Sequence, residues 1–349
     1  MKIAFVLTAI DNLGPFIVIR DIIKNIVSKT EKIDIYYLKE PQSLLNFEAG
    51  TTKISFFTAI DFSEYDVVHS TGFLADLYVS VHRTKKTQWV STLHQKIQPN
   101  YRLDYNNLIA TTLEFVWLSR LKKAACVTTL TKEMRDYYLP KFKGKKLMYV
   151  YNGIEENKTH SPIPESELAA IQTLKKDHHL LGIIARLVFL KGIDQVIKAL
   201  PQAKGYALLI IGDGIEKDNL LELAKTLKVE DRCLFVGYKA KPTDYLGLMD
   251  LYVMSSRTEG FGLSVIEAAS QHIPVICNDL PVYRELFTDD EIVRFELENL
   301  DSMVKSFDYA IQHKKILAQR IYQKYNNTYT ASKMSEAFFS VYITLTNKI

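Results

Sequence analysis

Apolar positions along the chain come in two rhythms. Short runs of β-branched and aromatic residues alternate with longer stretches at helical spacing, the pattern that builds parallel sheets from βαβ units. In the first half the runs Lys2–Thr8, Ile33–Leu38, Val67–Ser70, Gln88–Leu93, Cys126–Leu130 and Leu147–Tyr151 read as strands. Between the first two, residues 16–29 place Ile17, Ile19, Ile22, Ile23, Ile26 and Val27 largely on one helical face. The rhythm breaks over residues 155–179, where charges, Ser161-Pro162-Ile163-Pro164 and a short helical pattern from Glu165 to Lys175 suggest a linker. It resumes with candidate strands Leu180–Ala185, Ala207–Ile211, Cys233–Val236, Leu251–Met254 and Pro274–Cys277. The chain is therefore predicted to be α/β, with two Rossmann-like units in series. Residues from Leu317 onward are helical in pattern and rich in Tyr and Phe, too aromatic to be left in water, and are expected to pack across both units.

Length agrees with that division, since 349 residues can supply two hydrophobic cores. The predicted bounds are 1–160 with a C-terminal helix of about 325–349 packing back on it, and 170–324 for the second unit. With 47% apolar and 24% charged residues the composition is that of an ordinary soluble protein, and no stretch is suited to spanning a bilayer. The opening apolar run ends at Asp11 without a small-residue cleavage site, so it reads as a first buried strand rather than a signal peptide. Cys126, Cys233 and Cys277 lie far apart, which argues against a disulfide framework or zinc site and for a cytoplasmic setting.

Charge changes the picture slightly. Net charge is +4, and the whole excess of basic over acidic residues falls within residues 1–170. The densest clusters are Arg83, Lys85 and Lys86, and Lys141, Lys143, Lys145 and Lys146. A solvated face explains such runs most simply, while the alternative is attraction to anionic lipid or a phosphate-bearing acceptor at the inner membrane surface. The aromatic and apolar insertions at Phe115, Trp117, Leu118 and Leu121 point the same way, toward a lipid-linked or lipopolysaccharide-type glycan. No nucleic-acid partner is expected.

Candidate chemistry concentrates in the segment Ser255-Ser256-Arg257-Thr258-Glu259-Gly260-Phe261-Gly262-Leu263-Ser264-Val265-Ile266-Glu267. It follows a buried strand and opens a helix, where glycines let backbone approach a ligand and unpaired N–H groups favour a diphosphate. Ser264 and Glu267 also read as a capping box, and Glu259 as an ordinary loop carboxylate.

Glu259 and Glu267, with Gly260-Phe261-Gly262 between them, resemble the E-x7-E motif of family 4 (GT4) glycosyltransferases. Ala185-Arg186-Leu187 with Lys191-Gly192, Ile211-Gly212-Asp213-Gly214, Val236-Gly237-Tyr238, Pro274-Val275-Ile276 with Glu285, and Asn152-Gly153-Ile154 resemble further segments of that family in the same order, spanning most of residues 150–290. The resemblance implies a GT-B fold, two Rossmann-like domains facing a cleft, and a retaining, metal-independent hexosyl transfer from a nucleotide sugar, commonly a UDP-sugar. It implies that Arg186 and Lys191 bind the donor diphosphate, Glu267 the ribose and Glu259 the transferred sugar. Gly260, Phe261, Gly262 and Leu263 would line sugar and phosphate, Gly212 a neighbouring turn, Tyr238 the base, and His94 the sugar from the first domain. Paired glycines common in the family's first loop are replaced by Asn12-Leu13-Gly14-Pro15, where Gly14 still admits a close ligand but Pro15 removes a donor.

The residue types suit those roles. Loss of a diphosphate develops charge that fixed cations stabilise, Arg through a rigid fork and Lys as a compact point charge. No D-x-D triplet occurs, so positive side chains and a helix start would do a metal's work, and no cofactor beyond the nucleotide sugar is expected. Rival readings are a GT-B nucleotide-sugar epimerase and a non-catalytic sugar-binding assembly protein. A nicotinamide dehydrogenase is disfavoured because Gly212-Asp213-Gly214 lacks the third glycine of its fingerprint.

Overall fold

A computed structural model describes residues 1–104, 106–156 and 161–347, so part of the expected linker, residues 157–160, lies outside the described residues. The chain divides into two units, Met1–Glu155 with Tyr329–Ile349, and Glu156–Thr328.

Unit 1 is built on strands β1 (Lys2–Leu7), β2 (Lys32–Tyr37), β3 (Gly50–Lys53), β4 (Val67–Thr71), β5 (Gln88–Leu93), β6 (Cys126–Thr129) and β7 (Leu147–Tyr149), in the sheet order β3-β2-β1-β4-β5-β6-β7. Every pairing is parallel. The interior strands are buried nearly throughout, as they must be when helices cover both faces. Its helices are α1 (Gly14–Ile26), α2 (Phe73–His82), α3 (Ile97–Asp104), α4 (Asn107–Leu121) and α5 (Lys132–Tyr138). Pro15 suits the first turn of α1, where its missing N–H costs nothing. The Asn106 and Thr131 side chains cap α4 and α5.

Unit 2 repeats the plan. Strands β8 (His179–Ile184), β9 (Tyr206–Ile211), β10 (Cys233–Gly237), β11 (Leu251–Met254), β12 (Val275–Asn278) and β13 (Val293–Phe295) form a second parallel sheet in the order β10-β9-β8-β11-β12-β13. Around it lie α6 (Glu165–Asp177), α7 (Ile193–Ala199), α8 (Lys217–Thr226), α9 (Leu263–Ser270), α10 (Pro281–Leu286), α11 (Leu300–Gln312) and α12 (Lys314–Thr328). The sheet and helices enclose a core that includes Leu181, Val196, Leu208, Ile210, Val253, Ile276 and Phe307, each fully or almost fully buried. The architecture is α/β, two Rossmann-like units, each on its own parallel sheet.

The aromatic C-terminus is two helices, divided at Tyr329 between the units. Leu317, Ile321 and Tyr325 of α12 are buried in unit 2, while α13 (Ala331–Thr346) packs along α1 in unit 1. Reciprocal backbone bonds, Ile154 N–H to Tyr329 O at 3.0 Å and Ala331 N–H to Ile154 O at 2.9 Å, bring the outgoing and returning chain side by side. Tyr342 then reaches the sheet: its hydroxyl lies 2.6 Å from His69 Nδ1, whose Nε2 lies 2.7 Å from Thr92 Oγ1. Burial pulls the His69 pKa down to about 3, so a neutral ring links helix to sheet with both nitrogens used.

Candidate active site

In an open parallel sheet a ligand crevice forms outside the carboxyl ends of the strands, where successive connections depart in opposite directions. In unit 2 that point lies between β8 and β11, which pair directly at Leu251 with Leu181 and Tyr252 with Gly182. The two loops leaving it are residues 185–192 and 255–262, the segments that carry the family resemblance.

These loops are bound tightly to one another. The Arg257 N–H donates to Leu190 O at 2.8 Å, and its guanidinium forks onto Asp194 at 2.9 and 3.0 Å while lying 4.0 Å above the Phe189 ring. Ser255 Oγ donates to Lys191 O, Gln195 Nε2 to Ser255 O, and Asn278 Nδ2 to both Ser255 O and Ser256 O. Gly192 makes the approach feasible: its φ is +62°, and a Cβ there would lie 2.1 Å from Ser255 O. Held this way, the backbone gives the site side chains little freedom.

Lys191 Nζ pairs with Glu259 Oε1, and Ser256 Oγ donates to the same oxygen at 2.8 Å. The Glu259 side chain is 12% exposed and that of Lys191 28%, so the pair sits at the mouth of the site, largely shielded. Arg186, one residue beyond Ala185 on the loop after β8, is exposed and its guanidinium has no partner among the described residues. Helix α9 opens opposite. Its N-cap is Gly262 at φ +83°, with no side-chain cap, so the capping-box reading of Ser264 fails: Ser264 already lies within the first turn. Val265 N–H turns back to Gly262 O at 3.0 Å, while the amides of Leu263 and Ser264 and the positive end of the helix face no such acceptor among the described residues and suit an anion.

The remaining site residues fall nearby in sequence with differing exposure. Gly260 and Leu263 are half-buried around the start of α9 and Phe261 is buried. Glu267, half-buried, lies one turn into α9 and keeps partners within the fold. Gly212 follows β9 and donates its N–H to Gly237 O at 2.9 Å, while Tyr238, just beyond β10, is 63% exposed. Sequence reasoning missed Ser256, Asn278 and Tyr283. The Tyr283 hydroxyl is buried without a partner and stands 2.7 Å from where a Cβ on Gly262 would be, and Asn278 Oδ1 is likewise unpartnered. Burial, and after it the Glu259 charge, push the Tyr283 pKa up, keeping a neutral donor beneath the helix start. Among the described residues no group of three or more His, Cys, Asp or Glu side chains could hold a metal ion.

The corresponding point in unit 1 lies between β1 and β4. Thr8 follows β1, and its Oγ1 is buried, unpartnered and 2.7 Å from the position of a Cβ on Gly72, the N-cap of α2. Gly14 begins α1, whose N-cap Leu13 is 56% exposed and makes no side-chain cap bond. His94 follows β5, with Nε2 buried and unpartnered among the described residues, and burial lowers its pKa to about 4. It is a neutral ring at physiological pH, able to exchange hydrogen bonds but carrying no charge. One expectation needs correction: Trp117, Leu118 and Leu121 are core residues, 6%, 6% and 0% exposed, on the side of α4 where Trp117 packs on Phe73 of α2 and donates to Asp76, and of that quartet Phe115 alone points outward.

Residues 165–327 match the family described as glycosyl transferases group 1, and these residues contain the whole β8/β11 site. The chain is a glycosyltransferase of GT-B architecture. Over its full length the enzyme is 28% identical to the O-antigen biosynthesis glycosyltransferase WclY of Escherichia coli, covering all of that protein. A Campylobacter jejuni relative, N-acetylgalactosamine-N,N'-diacetylbacillosaminyl-diphospho-undecaprenol 4-alpha-N-acetylgalactosaminyltransferase, is 31% identical over 49% of the enzyme and 46% of the relative. In fold, the enzyme is similar to Alr3699/HepE of Anabaena, solved in complex with UDP and glucose, with a TM-score of 0.80 over 98% of this chain and 99% of that one at 17% identity.

Proposed function

We propose that the enzyme is a retaining, metal-independent glycosyltransferase of the family 4 type, transferring a hexose from a UDP-sugar to a lipid-linked glycan in O-antigen or lipopolysaccharide-type synthesis. The observation that carries this reading is the convergence, at one switch point, of the Lys191–Glu259–Ser256 cluster, the free Arg186 and the uncapped start of α9. A diphosphate supplies the negative charge this set is built to receive, and a sugar supplies hydroxyls for a carboxylate already oriented by two neighbours. The names of the Escherichia coli and Campylobacter relatives support the acceptor class, and the UDP-bound Anabaena structure supports the donor.

On this reading Lys191 exchanges Glu259 for the donor diphosphate, joined by Arg186 and the amides of Gly262 and Leu263. Glu259, released from Lys191, accepts from hydroxyls of the transferred sugar. Glu267 takes the ribose hydroxyls, Tyr238 lies against the base, and Gly212, Gly260 and Phe261 shape the pocket. In unit 1, neutral His94 offers Nε2 to a sugar hydroxyl, and Gly14 lets backbone approach a donor phosphate. Reaction proceeds by front-side displacement: the anomeric carbon–oxygen bond to the diphosphate breaks and the acceptor oxygen bonds the same face. The acceptor proton passes to the departing diphosphate. Arg186, Lys191 and the helix start stabilise the charge that develops there.

Incubating the purified enzyme with a panel of nucleotide sugars, with and without a lipid-diphosphate-linked glycan, tests this directly. Release of UDP that depends on acceptor, with the new linkage retaining anomeric configuration, is the expected result. Interconversion of the donor without acceptor would replace transfer by epimerisation, and no consumption of any donor would leave a binding protein.

A further inference from the structure

Parallel strands enter a sheet from one edge, so loops far apart in sequence gather there. The loops before β5, β6 and β7, three neighbouring strands, carry Lys85 and Lys86, Lys122 and Lys123, and Lys143, Lys145 and Lys146. All seven are exposed, and none makes a side-chain ion pair or hydrogen bond with a described residue, although Lys86 lies within electrostatic reach of Asp61. With strands about 4.8 Å apart, seven like charges share an edge only about 10 Å from first strand to last. The sequence shows three separate basic runs; the topology makes them one ridge, at the edge of the sheet away from Thr8, Gly72 and His94.

Helix α4 leads to the middle of this ridge, with Lys122 as its C-cap. Its inner side carries Ala110, Trp117, Leu118 and Leu121. The other side carries Leu108, Ile109, Thr112, Phe115, Val116 and Ser119, which follow i, i+1, i+4, i+7, i+8, i+11 spacing and so form one stripe. Leu108 is 77% exposed and Phe115 73%. The two hydroxyls in the stripe are turned back onto the helix, Thr112 to Leu108 O and Ser119 to Val116 O, so they add little polarity to its surface.

We infer that the outer stripe of α4 and the lysine ridge form a docking surface for an anionic lipid bilayer. An apolar helix face ending in cations is the form of an interfacial anchor: the stripe enters the boundary of the acyl chains while lysine stems lie along it and their ammonium groups stay among the phosphates. A lipid surface fits better than a protein partner, because lysine is depleted at protein interfaces whereas unpaired lysines answer a diffuse negative potential. Among the described residues no helix is long and apolar enough to cross a membrane. The inference rests on the proposed lipid-linked acceptor, whose transfer would then occur where that acceptor is anchored.

Flotation of the full chain with vesicles of phosphatidylcholine alone, or mixed equally with phosphatidylglycerol, tests it. The enzyme should float with the mixed vesicles, remain in solution with phosphatidylcholine, and be released as salt is raised. Neutralising Lys122 and Lys123 to Gln should lower partitioning about 25-fold, roughly fivefold per lysine. Phe115→Ser should lower it about tenfold or more, and Lys204→Gln, in unit 2, should leave it unchanged. Failure of the wild type to float, or flotation of the Lys122 and Lys123 variant like wild type, overturns the surface. UDP binding in solution, which all these variants should retain, reports separately on the transfer reading.

Discussion

The two units share a plan but treat charge in opposite ways at their switch points. Between β8 and β11 the crevice carries an ion pair, Lys191 with Glu259, an exposed Arg186 without a side-chain partner among the described residues, and a helix start with no side-chain cap. Around the β1/β4 point burial drives ionisable groups toward neutrality. His94 falls to about 4 and His69 to about 3, while Asp76 rises to about 6 despite hydrogen bonds from Ser70, Trp117 and Ser91 that oppose the shift. Thr8 Oγ1 and His94 Nε2 are left unpartnered there. On the function proposed above, one scaffold thus yields one site for a diphosphate and another for a neutral, hydroxyl-rich ligand. Fold alone does not choose between them; the side chains at the strand ends do.

The strongest way to break this contrast is to remove the ion pair's cation. Lys191→Ala should lower kcat by about 10²-fold or more, as loss of an oxyanion donor does, and steady-state kinetics on a variant with native circular dichroism would show it. Unchanged turnover would mean that the charge at β8/β11 serves structure rather than chemistry.

Asp76 sharpens the other side. Its folded pKa lies above the ordinary 3.8, so between about pH 4 and 6 the native state holds a proton that the unfolded chain has released. Stability from this group is therefore complete at the acid end and falls as pH rises through that window, by up to about 3 kcal/mol. Urea unfolding of wild type and Asp76→Asn should show wild type gaining relative to the variant as pH falls from 7 to 4. A difference independent of pH would show Asp76 ionised throughout, and unit 1 tolerant of buried charge after all.

A smaller effect is expected at His94. Acting as a neutral hydrogen-bonding group, it should cost about fivefold in kcat/KM when changed to Phe, the worth of roughly 1 kcal/mol, and wild type should show no inflection near pH 6.5 that the variant lacks. Such an inflection, lost in His94→Phe, would make it a titrating acid or base. Smaller still is Tyr283→Phe, which removes an unsatisfied buried hydroxyl and should raise ligand-free stability by about 1 kcal/mol. Destabilisation on thermal melting would instead show that the hydroxyl has a partner in solution.

How far the sequence carries the reader differs between fold and site. Eleven of the strands were legible from β-branched and aromatic runs, and Gln88–Leu93 and Leu251–Met254 fall on β5 and β11 residue for residue. β3 escaped because Gly50-Thr51-Thr52-Lys53 is an exposed edge with no apolar side to betray it, and β13 because Val293-Arg294-Phe295 has a charge at its centre, where the equally short β7 is Leu147-Met148-Tyr149. Motifs brought Glu259 and Lys191 forward separately, but their pairing spans 68 positions and depends on β8 and β11 being neighbours. Strand order is not written in any local pattern. Thr8, Ser256, Asn278 and Tyr283 are ordinary letters until the fold buries their polar atoms beside glycine turns. Phe115 and Trp117 look alike in sequence, and only the phase of α4 against α2 separates the exposed ring from the buried one.

The most direct test of the account is calorimetric titration of UDP into wild type, into Lys191→Met with Arg186→Met, and into His94→Phe. If the β8/β11 crevice is the charged one, the double variant should lose about tenfold or more in affinity and most of the salt dependence of binding, while His94→Phe binds UDP as wild type does. Equal UDP affinity in wild type and the double variant would contradict it.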